Sequence, residues 1–364
     1  MRITYKMTTG NYTTNLNNLS TDLDKLNNQV ASGRKFSSTS EDVSSAVKAY
    51  QVRRDLTKVE GYQNNIASAQ DFMDNSESSI SGIQTSLLEA TDKTLQGMNG
   101  TQSVNERKII ATQLRTMQSE LLDTLNTKSS DTYIFGGSNT ETKPFSLGTD
   151  GKLVYNGQKV DDLADGSTAL ANLQSDSLYV DIGLGVSFKE PSGEVDKNSV
   201  FNYSTPGIDL VGNGVSKTAT TDASGNVLKD TDGNIIYADD KVTIDGKAQT
   251  ISNNVYDLLG QIASEFESPS YSFDTLNTLY GKFQQATQNP SLSITKIGEK
   301  TNYLSFMTTR YEDQNYNLEK KQTAVEGVDA ASTYLEFSTQ QVAYKAALQM
   351  GSKLIQQSVF DYMS

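Results

Sequence analysis

The hydrophobic residues near the N-terminus recur at alternating spacings of three and four positions. This spacing places them on one narrow face of an α-helix. The positions between them are mostly Asn, Thr, Ser, Asp and Lys. Because so narrow an apolar face cannot stabilise a lone helix in water, we expect a packing partner. This N-terminal leucine row consists of Leu16, Leu19, Leu23, Leu26 and Val30.

A second row with the same spacing runs from Ile66 to Leu125 and predicts helix through most of that region. Gly97 and Gly100 are the place where this helix can split or kink. Beyond Pro290 the sequence again predicts helix almost to its end. One seven-residue series there comprises Leu304, Tyr311, Leu318 and Val325, and a second comprises Val328, Leu335, Val342 and Gln349. The last apolar positions are Leu354, Ile355, Val359, Phe360 and Met363.

The middle of the chain has a different pattern. It holds 15 of the 26 glycines, within residues 136–255. Short apolar runs flank Asp150-Gly151 and Asp245-Gly246. Asp-Gly between two such runs is typical of a two-residue hairpin turn, because Gly accepts a positive φ. Residues 136–255 are therefore predicted to be β-rich.

These patterns predict a mainly α fold with a β insert. Both termini form an antiparallel bundle of long helices, and a β-rich domain is inserted in the middle. We expect three domains. Residues 1–40 with 326–364 form a terminal helical coiled coil that orders on assembly, residues 41–139 with 255–325 form a rod-like helical domain, and residues 140–254 form an outward-facing β-rich insert.

The composition narrows the range of functions. The chain has no Cys, no His and no Trp among its 364 residues. Ser–His and Cys–His catalysis, nearly all zinc chemistry and haem ligation by His or Cys are thereby excluded. A net charge of -13 disfavours nucleic acid as a partner. No run of about 18 apolar residues predicts a membrane span, and the first 30 residues lack the apolar core of a cleaved signal peptide. We predict a protein without enzymatic activity, cofactor or metal.

Several segments of the chain carry a resemblance to one bacterial family. They are Met1-Arg2-Ile3-Thr4, Leu19 to Leu26, Ala31-Ser32-Gly33-Arg34-Lys35, Ser40-Glu41-Asp42, Thr132 to Asn139 with Pro144-Phe145, Gly298 to Leu304, Gln341 to Gln349, and Ser358 to Met363. In these segments the chain resembles the flagellin superfamily. The Tyr133 to Asn139 segment is similar to the signature that separates the hook–filament junction branch from flagellin proper. Val43 stands where the family usually has Pro, which puts the start of the next helix in question. The insert 140–254 resembles nothing in the family.

The resemblance implies a structural role in the bacterial flagellum, as the adaptor at the hook–filament junction on which the filament is built. It implies export through the flagellar type III channel, unfolded and without a cleaved signal peptide, to an extracellular location. The implied partners are neighbouring axial proteins (another hook-associated protein and flagellin), copies of the chain itself in a ring, and an export chaperone at the C-terminal helix.

The residues predicted to make subunit contacts are apolar and lie near both ends of the chain. They are Leu16, Leu19, Leu23, Leu26, Val30, Leu335, Val342, Leu354, Val359 and Phe360. Leu335 and Val342 are also the candidates for chaperone binding, by a helix lying in a groove. The N-terminal leucine row could equally be an ordinary bundle core.

Two other functions remain open. One is flagellin itself, the filament subunit. The other is a secreted ligand-binding module carried on a coiled-coil stalk, with an insert that binds calcium or a glycan. Asp222-Ala223-Ser224-Gly225 and Asp230-Thr231-Asp232-Gly233 hint at calcium, but they lack the twelve-residue spacing and terminal Glu of a calcium loop. The Arg53-Arg54 doublet is interpreted as a solvated helix face.

Overall fold

The structure is a computed structural model that describes residues 2–100, 102–222, 225, 227–230 and 234–360, with side chains described only between residues 6 and 352. The helices are α1 (Arg2–Ser32), α2 (Val43–Met98), α3 (Val104–Leu125), α4 (Thr168–Ser175), α5 (Ile208–Val211), α6 (Val255–Glu267), α7 (Phe273–Ala286), α8 (Asn289–Glu326) and α9 (Ala330–Phe360). Two 3₁₀ turns cover Val160–Asp162 and Lys197–Ser199.

The strands are short and lie between α3 and α6 in the sequence. They are β1 (Lys128–Ser129), β2 (Thr132–Tyr133), β3 (Phe145–Leu147), β4 (Leu153–Tyr155), β5 (Gln158–Lys159), β6 (Tyr179–Val180), β7 (Phe188–Lys189), β8 (Glu194–Val195), β9 (Phe201–Asn202), β10 (Lys217–Ala219), β11 (Tyr237–Asp239), β12 (Lys241–Ile244) and β13 (Lys247–Thr250). Long helices at both ends and a strand-rich middle confirm the predicted fold class.

The chain forms two compact units. The terminal unit contains Met1–Gly61 and Thr309–Ser364, and the central unit contains Tyr62–Thr308. Helices α2 and α8 each contribute to both units. In the terminal unit α1 packs against α9, and in the central unit α6 packs against both α3 and α7.

The predicted interruption near Gly97 and Gly100 separates α2 from α3. Helix α3 starts with a capping box: the Ser103 hydroxyl accepts a hydrogen bond from the Glu106 amide (3.3 Å), and the Glu106 carboxylate accepts one from the Ser103 amide (2.6 Å). Gly97 itself packs against Phe266 of α6, and a Cβ there would lie 2.4 Å from the Phe266 ring. Glycine at this position therefore lets α6 approach α2 closely.

The predicted hairpins are confirmed. Strands β3 and β4 pair antiparallel, with Phe145 opposite Tyr155, around the Asp150-Gly151 turn. Strands β12 and β13 pair around Asp245 and Gly246, whose φ angles are 49° and 72°. Both residues of that turn are left-handed, as a two-residue hairpin requires. The described strands form only small antiparallel sheets of two or three strands.

The core of the central unit is rich in fully buried aromatic rings. Phe135, Phe145, Tyr155, Phe266 and Phe283 all have less than 2% of their surface exposed. The Tyr155 hydroxyl donates a hydrogen bond to the Phe135 carbonyl (3.0 Å), and burial raises the pKa of this phenol. Among the residues that the structure describes, none of the helices has the length and apolar character needed to cross a membrane.

Candidate assembly surface

The terminal unit pairs the first long helix of the chain with the last. Tyr12 of α1 donates its hydroxyl hydrogen to the Ala347 carbonyl of α9 (2.8 Å), across 335 positions of sequence. The same hydroxyl fills the space beside Gly351, where a Cβ would lie 2.1 Å from the Tyr12 oxygen. A tyrosine seated against a glycine therefore fixes how far α1 can slide along α9.

The N-terminal leucine row continues the face of α1 that carries Tyr12, since Tyr12 precedes Leu16 by four positions. Leu16, Leu19, Leu23 and Leu26 are each half-buried, and Val30 is 40% exposed. The row faces α9 of its own chain, as an intramolecular core would, but this contact covers it only in part. The assignment of these residues to subunit contacts stays a prediction.

Helix α9 has two dissimilar faces. One face carries residues that are buried or half-buried, and they are Thr333, Phe337, Tyr344, Ala347 and Gly351. The opposite face carries Leu335 and Val342, which are 67% and 66% exposed. We call Leu335, Val342 and the exposed Ala346 the outer strip of α9. The side chains of Leu354, Val359 and Phe360 lie outside the described residues.

Two chain reversals are joined at one end of the α1–α9 pair. The Lys35 amide donates to the Glu326 carbonyl (2.7 Å), and the Val328 amide donates to the Gly33 carbonyl (3.1 Å). The Lys35 ammonium also donates to the Ala324 carbonyl (3.0 Å). The connection between α1 and α2 is thereby tied to the connection between α8 and α9 at one end of the α1–α9 pair.

A charged pair stabilises this junction. Glu326 is only 4% exposed, and its carboxylate accepts two hydrogen bonds from the Arg53 guanidinium, at 2.7 and 2.5 Å. The hydrogen bonds to Glu326 raise the pKa of Arg53 above its ordinary value. The interpretation of Arg53-Arg54 as a solvated doublet is therefore wrong for Arg53. It holds for Arg54, which is largely exposed and pairs only with its neighbour Asp55 among the described residues.

The acidic loop before α2 has a specific role for each carboxylate. Glu41 accepts hydrogen bonds from the Ser37 hydroxyl (2.8 Å) and the Ser38 amide (3.1 Å), and the Ser37 bond lowers its pKa. The Asp42 carboxylate accepts a hydrogen bond from the Ser45 amide. This hydrogen bond caps the start of α2, and hydrogen bonding with Ser45 lowers the pKa of Asp42. The helix therefore begins at Val43 without the proline that the family usually has there.

The described residues show no grouping of three or more acidic, histidine or cysteine side chains that could hold a metal ion. Of the calcium-like fragments, Ala223, Ser224, Thr231, Asp232 and Gly233 lie outside the described residues. The candidate surface described above is built from the exposed apolar faces of helices α1 and α9.

Comparison with known proteins finds similarity to flagellar proteins. Residues 3–140 match the family model of the bacterial flagellin N-terminal helical region. Flagellar hook-associated protein 3 of Escherichia coli (strain K12) is 24% identical over 221 residues, which is 58% of this chain and 69% of that protein. The protein of the same name from Salmonella typhimurium is 28% identical over 156 residues, 42% of this chain and 48% of that protein.

Two solved structures share the fold of this chain. A flagellar hook-associated protein from Vibrio parahaemolyticus aligns with a TM-score of 0.56 and 18% identity, covering 79% of this chain and 100% of that one. Flagellar hook-associated protein 3 from Legionella pneumophila aligns with a TM-score of 0.52 and 16% identity, covering 76% and 99%. At such identities these structures bear on the fold alone, and they agree with the long terminal helices.

Proposed function

We propose that this chain is a structural, non-catalytic subunit of the bacterial flagellum that forms the adaptor between hook and filament. The observation that carries the proposal is the α1–α9 pair, whose outer strip stays bare in a chain similar to two proteins named flagellar hook-associated protein 3. Exposed apolar helix faces on a non-enzymatic scaffold fit a protein that buries them against neighbours.

The role is tested by deleting the gene and examining the cells by electron microscopy. We expect hooks without filaments, flagellin released into the medium, and loss of swimming, all restored by the wild-type gene. Normal filaments on the deletion strain would contradict the proposal.

Flagellin is the alternative within the superfamily, and seeded polymerisation separates the two. Purified flagellin adds to filament seeds to form long filaments. This chain is expected to make no native-like filament under the same conditions, while a true flagellin serves as the positive control. Long filaments formed by this chain alone would assign it to the filament instead.

We propose that copies of the chain stand side by side in a ring and contact one another and adjacent axial proteins through the N-terminal leucine row and the outer strip of α9. The C-terminal residues Leu354, Val359 and Phe360 belong to the same proposed surface. Because the row is only half-covered within one chain, the α1–α9 pair gains burial on assembly.

Hydrogen exchange on the isolated monomer tests this coupling of order to assembly. We expect the amides of residues 5–30 to exchange much faster than those of residues 66–128 in the central unit. Equal protection of the two segments would contradict the coupling.

We also propose that the outer strip of α9 binds an export chaperone before the chain leaves the cell unfolded. An amphipathic helix in an apolar groove is the physical mode. Replacing Leu335 and Val342 together with Asp should abolish co-purification with the chaperone. The matched control is Lys345→Asp, which makes the same net charge change on an exposed polar position, and it should leave co-purification intact. Retained binding by the double variant would refute this step.

The three-domain division with an outward-facing insert at 140–254 is part of the same proposal. Removing residues 218–238 of the insert, between the paired Lys217 and Asp239, should leave a chain that still supports filament growth. The proposed contacts lie on the helical arms, and Phe145 and Tyr155 of the buried core stay in place. A filament defect as severe as that of the gene deletion would show that the insert itself takes part in the junction.

A further inference from the structure

The central unit contains three Asn-Gly pairs, Asn99-Gly100, Asn156-Gly157 and Asn213-Gly214. In such a pair the amide nitrogen of the glycine can attack the side-chain carbonyl carbon of the asparagine, because glycine has no Cβ to obstruct the approach. The attack needs a main chain that can bend and an asparagine side chain that can turn. The surroundings of each pair therefore decide whether it reacts.

The pair Asn213-Gly214 is held at both reacting groups. The side-chain nitrogen of Asn213 donates hydrogen bonds to the Leu163 carbonyl (3.0 Å) and to the Asp165 carboxylate (2.8 Å). The amide of Gly214, which would have to attack, is buried and donates to the Val160 carbonyl (2.9 Å). The fold therefore opposes reaction at this pair.

The pair Asn156-Gly157 is held by a hairpin. It forms the two-residue turn between β4 and β5, with φ angles of 46° and 81°, as a turn of this type requires. The Asn156 amide donates to the Pro144 carbonyl (2.9 Å), and its half-buried side chain donates to the Gly136 carbonyl (3.1 Å). The main chain and the side chain are thus both fixed here.

The pair Asn99-Gly100 differs from the other two. Both residues are exposed and follow Met98, the last residue of α2. Within the described part of the chain, neither the Asn99 side chain nor the Gly100 amide makes a hydrogen bond, and a Cβ at Gly100 would meet no atom within 4 Å. The Asn99 carbonyl accepts a hydrogen bond from the Gln102 amide (3.2 Å), but this oxygen takes no part in the attack.

We propose that Asn99 is a site of spontaneous deamidation. Hydroxide removes the amide proton of Gly100, the nitrogen forms a bond to Cγ of Asn99, the bond from Cγ to Nδ2 breaks, and ammonia leaves. Water then opens the five-membered succinimide at either of its carbonyls, which gives aspartate or isoaspartate. The reaction uses only water and involves no oxidation. The proposal does not depend on the structural role proposed above, because the modification is measured on the isolated full-length chain.

The product changes the charge and the length of the main chain at the break between α2 and α3. Each modified copy gains one negative charge next to the end of α2, where the helix dipole already places partial negative charge. Isoaspartate also inserts one carbon into the main chain. Gly97, whose close contact with Phe266 lets α6 approach α2, lies two positions before Asn99. The modification therefore falls beside the packing of α6 on α2.

The experiment ages the purified full-length chain in neutral and in mildly alkaline buffer and follows its tryptic peptides by mass spectrometry. The three pairs fall in separate peptides, 94–107, 153–159 and 198–217, and fragment ions distinguish Asn99 from Asn105. We expect Asn99 to deamidate faster than Asn156 and Asn213 by on the order of tenfold or more, since the two held pairs react only when the structure opens locally. The rate at Asn99 should rise with pH, because hydroxide removes the amide proton.

Two controls separate the effect of the structure from that of the sequence. In guanidinium chloride, where the chain is unfolded, the three pairs should react at similar rates. Gly100→Ala places a methyl group in open space and should slow the reaction at Asn99 on the order of tenfold, with Tm unchanged or raised. Equal rates at the three pairs in the folded chain, a rate at Asn99 as low as that at Asn213, or an unchanged rate in Gly100→Ala would each overturn the proposal.

Discussion

Helices α6 and α9 contain similar apolar residues, but the side chains of these residues are buried to very different extents in the two helices. In α6, Leu258, Leu259 and Ile262 are at most 1% exposed, while in α9 Leu335 and Val342 are exposed over two thirds of their surface. The difference lies in the neighbours: α6 is packed between α3 and α7, and α9 packs against α1. An apolar helix face thus indicates that a partner exists, and only the fold indicates whether that partner belongs to the same chain.

The largest expected effect tests the dense side of this comparison. Phe266→Ala empties a fully buried site against Gly97, so the central unit should lose about 3–5 kcal/mol of its free energy of unfolding, measured by urea titration. Leu335→Ala, on the exposed strip, should change the stability of the monomer by less than about 0.5 kcal/mol. Comparable losses in the two variants would mean that α9 is already covered in the monomer.

A buried carboxyl makes the central unit sensitive to pH. Burial, with a smaller contribution from nearby Asp161, raises the pKa of Asp257 to about 6, despite hydrogen bonds from Asn254 (2.8 Å) and the Leu153 amide (3.4 Å). The folded state therefore binds the carboxyl proton of Asp257 more tightly than the unfolded state does. The contribution of this protonated carboxyl to stability is complete below about pH 4 and is lost as pH rises through 6.

The difference amounts to about 2–3 kcal/mol between pH 4 and pH 7, because each pKa unit corresponds to about 1.4 kcal/mol. Asp257→Asn keeps the size of the side chain and an acceptor oxygen but cannot titrate. The free energy of unfolding of this variant should therefore lack the pH-dependent contribution of Asp257. The measurement is the stability of wild type minus that of the variant, followed by urea titration from pH 4 to pH 7. A difference that does not fall with rising pH would show that Asp257 is charged throughout.

The junction of the terminal unit provides a smaller effect with a close control. Arg53→Met leaves the buried Glu326 carboxylate without its main partner and should cost about 1–2 kcal/mol, given that the arginine is partly exposed. Arg54→Met, one position along, removes only a surface contact with Asp55 and should cost less than about 0.5 kcal/mol. Thermal unfolding followed by circular dichroism measures the stability of both variants. Equal losses of stability would show that the Arg53–Glu326 pair does not stabilise the junction.

The smallest effect concerns the α1–α9 contact itself. Gly351→Ala places a methyl group against the Tyr12 hydroxyl and should lower the stability of the helix pair by about 1 kcal/mol. Gly10→Ala, where no atom lies within 4 Å of the new carbon, should raise the stability of α1 by about 0.5–1 kcal/mol. Amide hydrogen exchange of α1 and α9 measures the stability change in both variants. A gain of stability in both variants would show that Tyr12 does not pack closely against Gly351.

Local signals in the sequence predicted most of the fold. The Asp-Gly pairs predicted both hairpins, and the rows of three and four predicted the long helices, because turns and helix faces depend on residues close in the chain. The α1–α9 contact was harder to predict from the sequence. The repeat of Val328, Leu335 and Val342 is the more apolar series, but α1 packs on the face with Thr333, Phe337 and Gly351, where small and aromatic residues interlock.

Long-range polar pairs gave no signal at all. Arg53 and Glu326 are 273 positions apart, and neither residue lies in a sequence motif that would predict the other as its partner.

The seat of Tyr12 against Gly351 has a consequence for timing. Tyr12 and the Ala347 carbonyl that accepts its hydrogen bond are separated by 335 positions. A copy whose synthesis stops before α9 cannot pair α1 with its partner helix, so this contact forms only after the long intervening segment has been made.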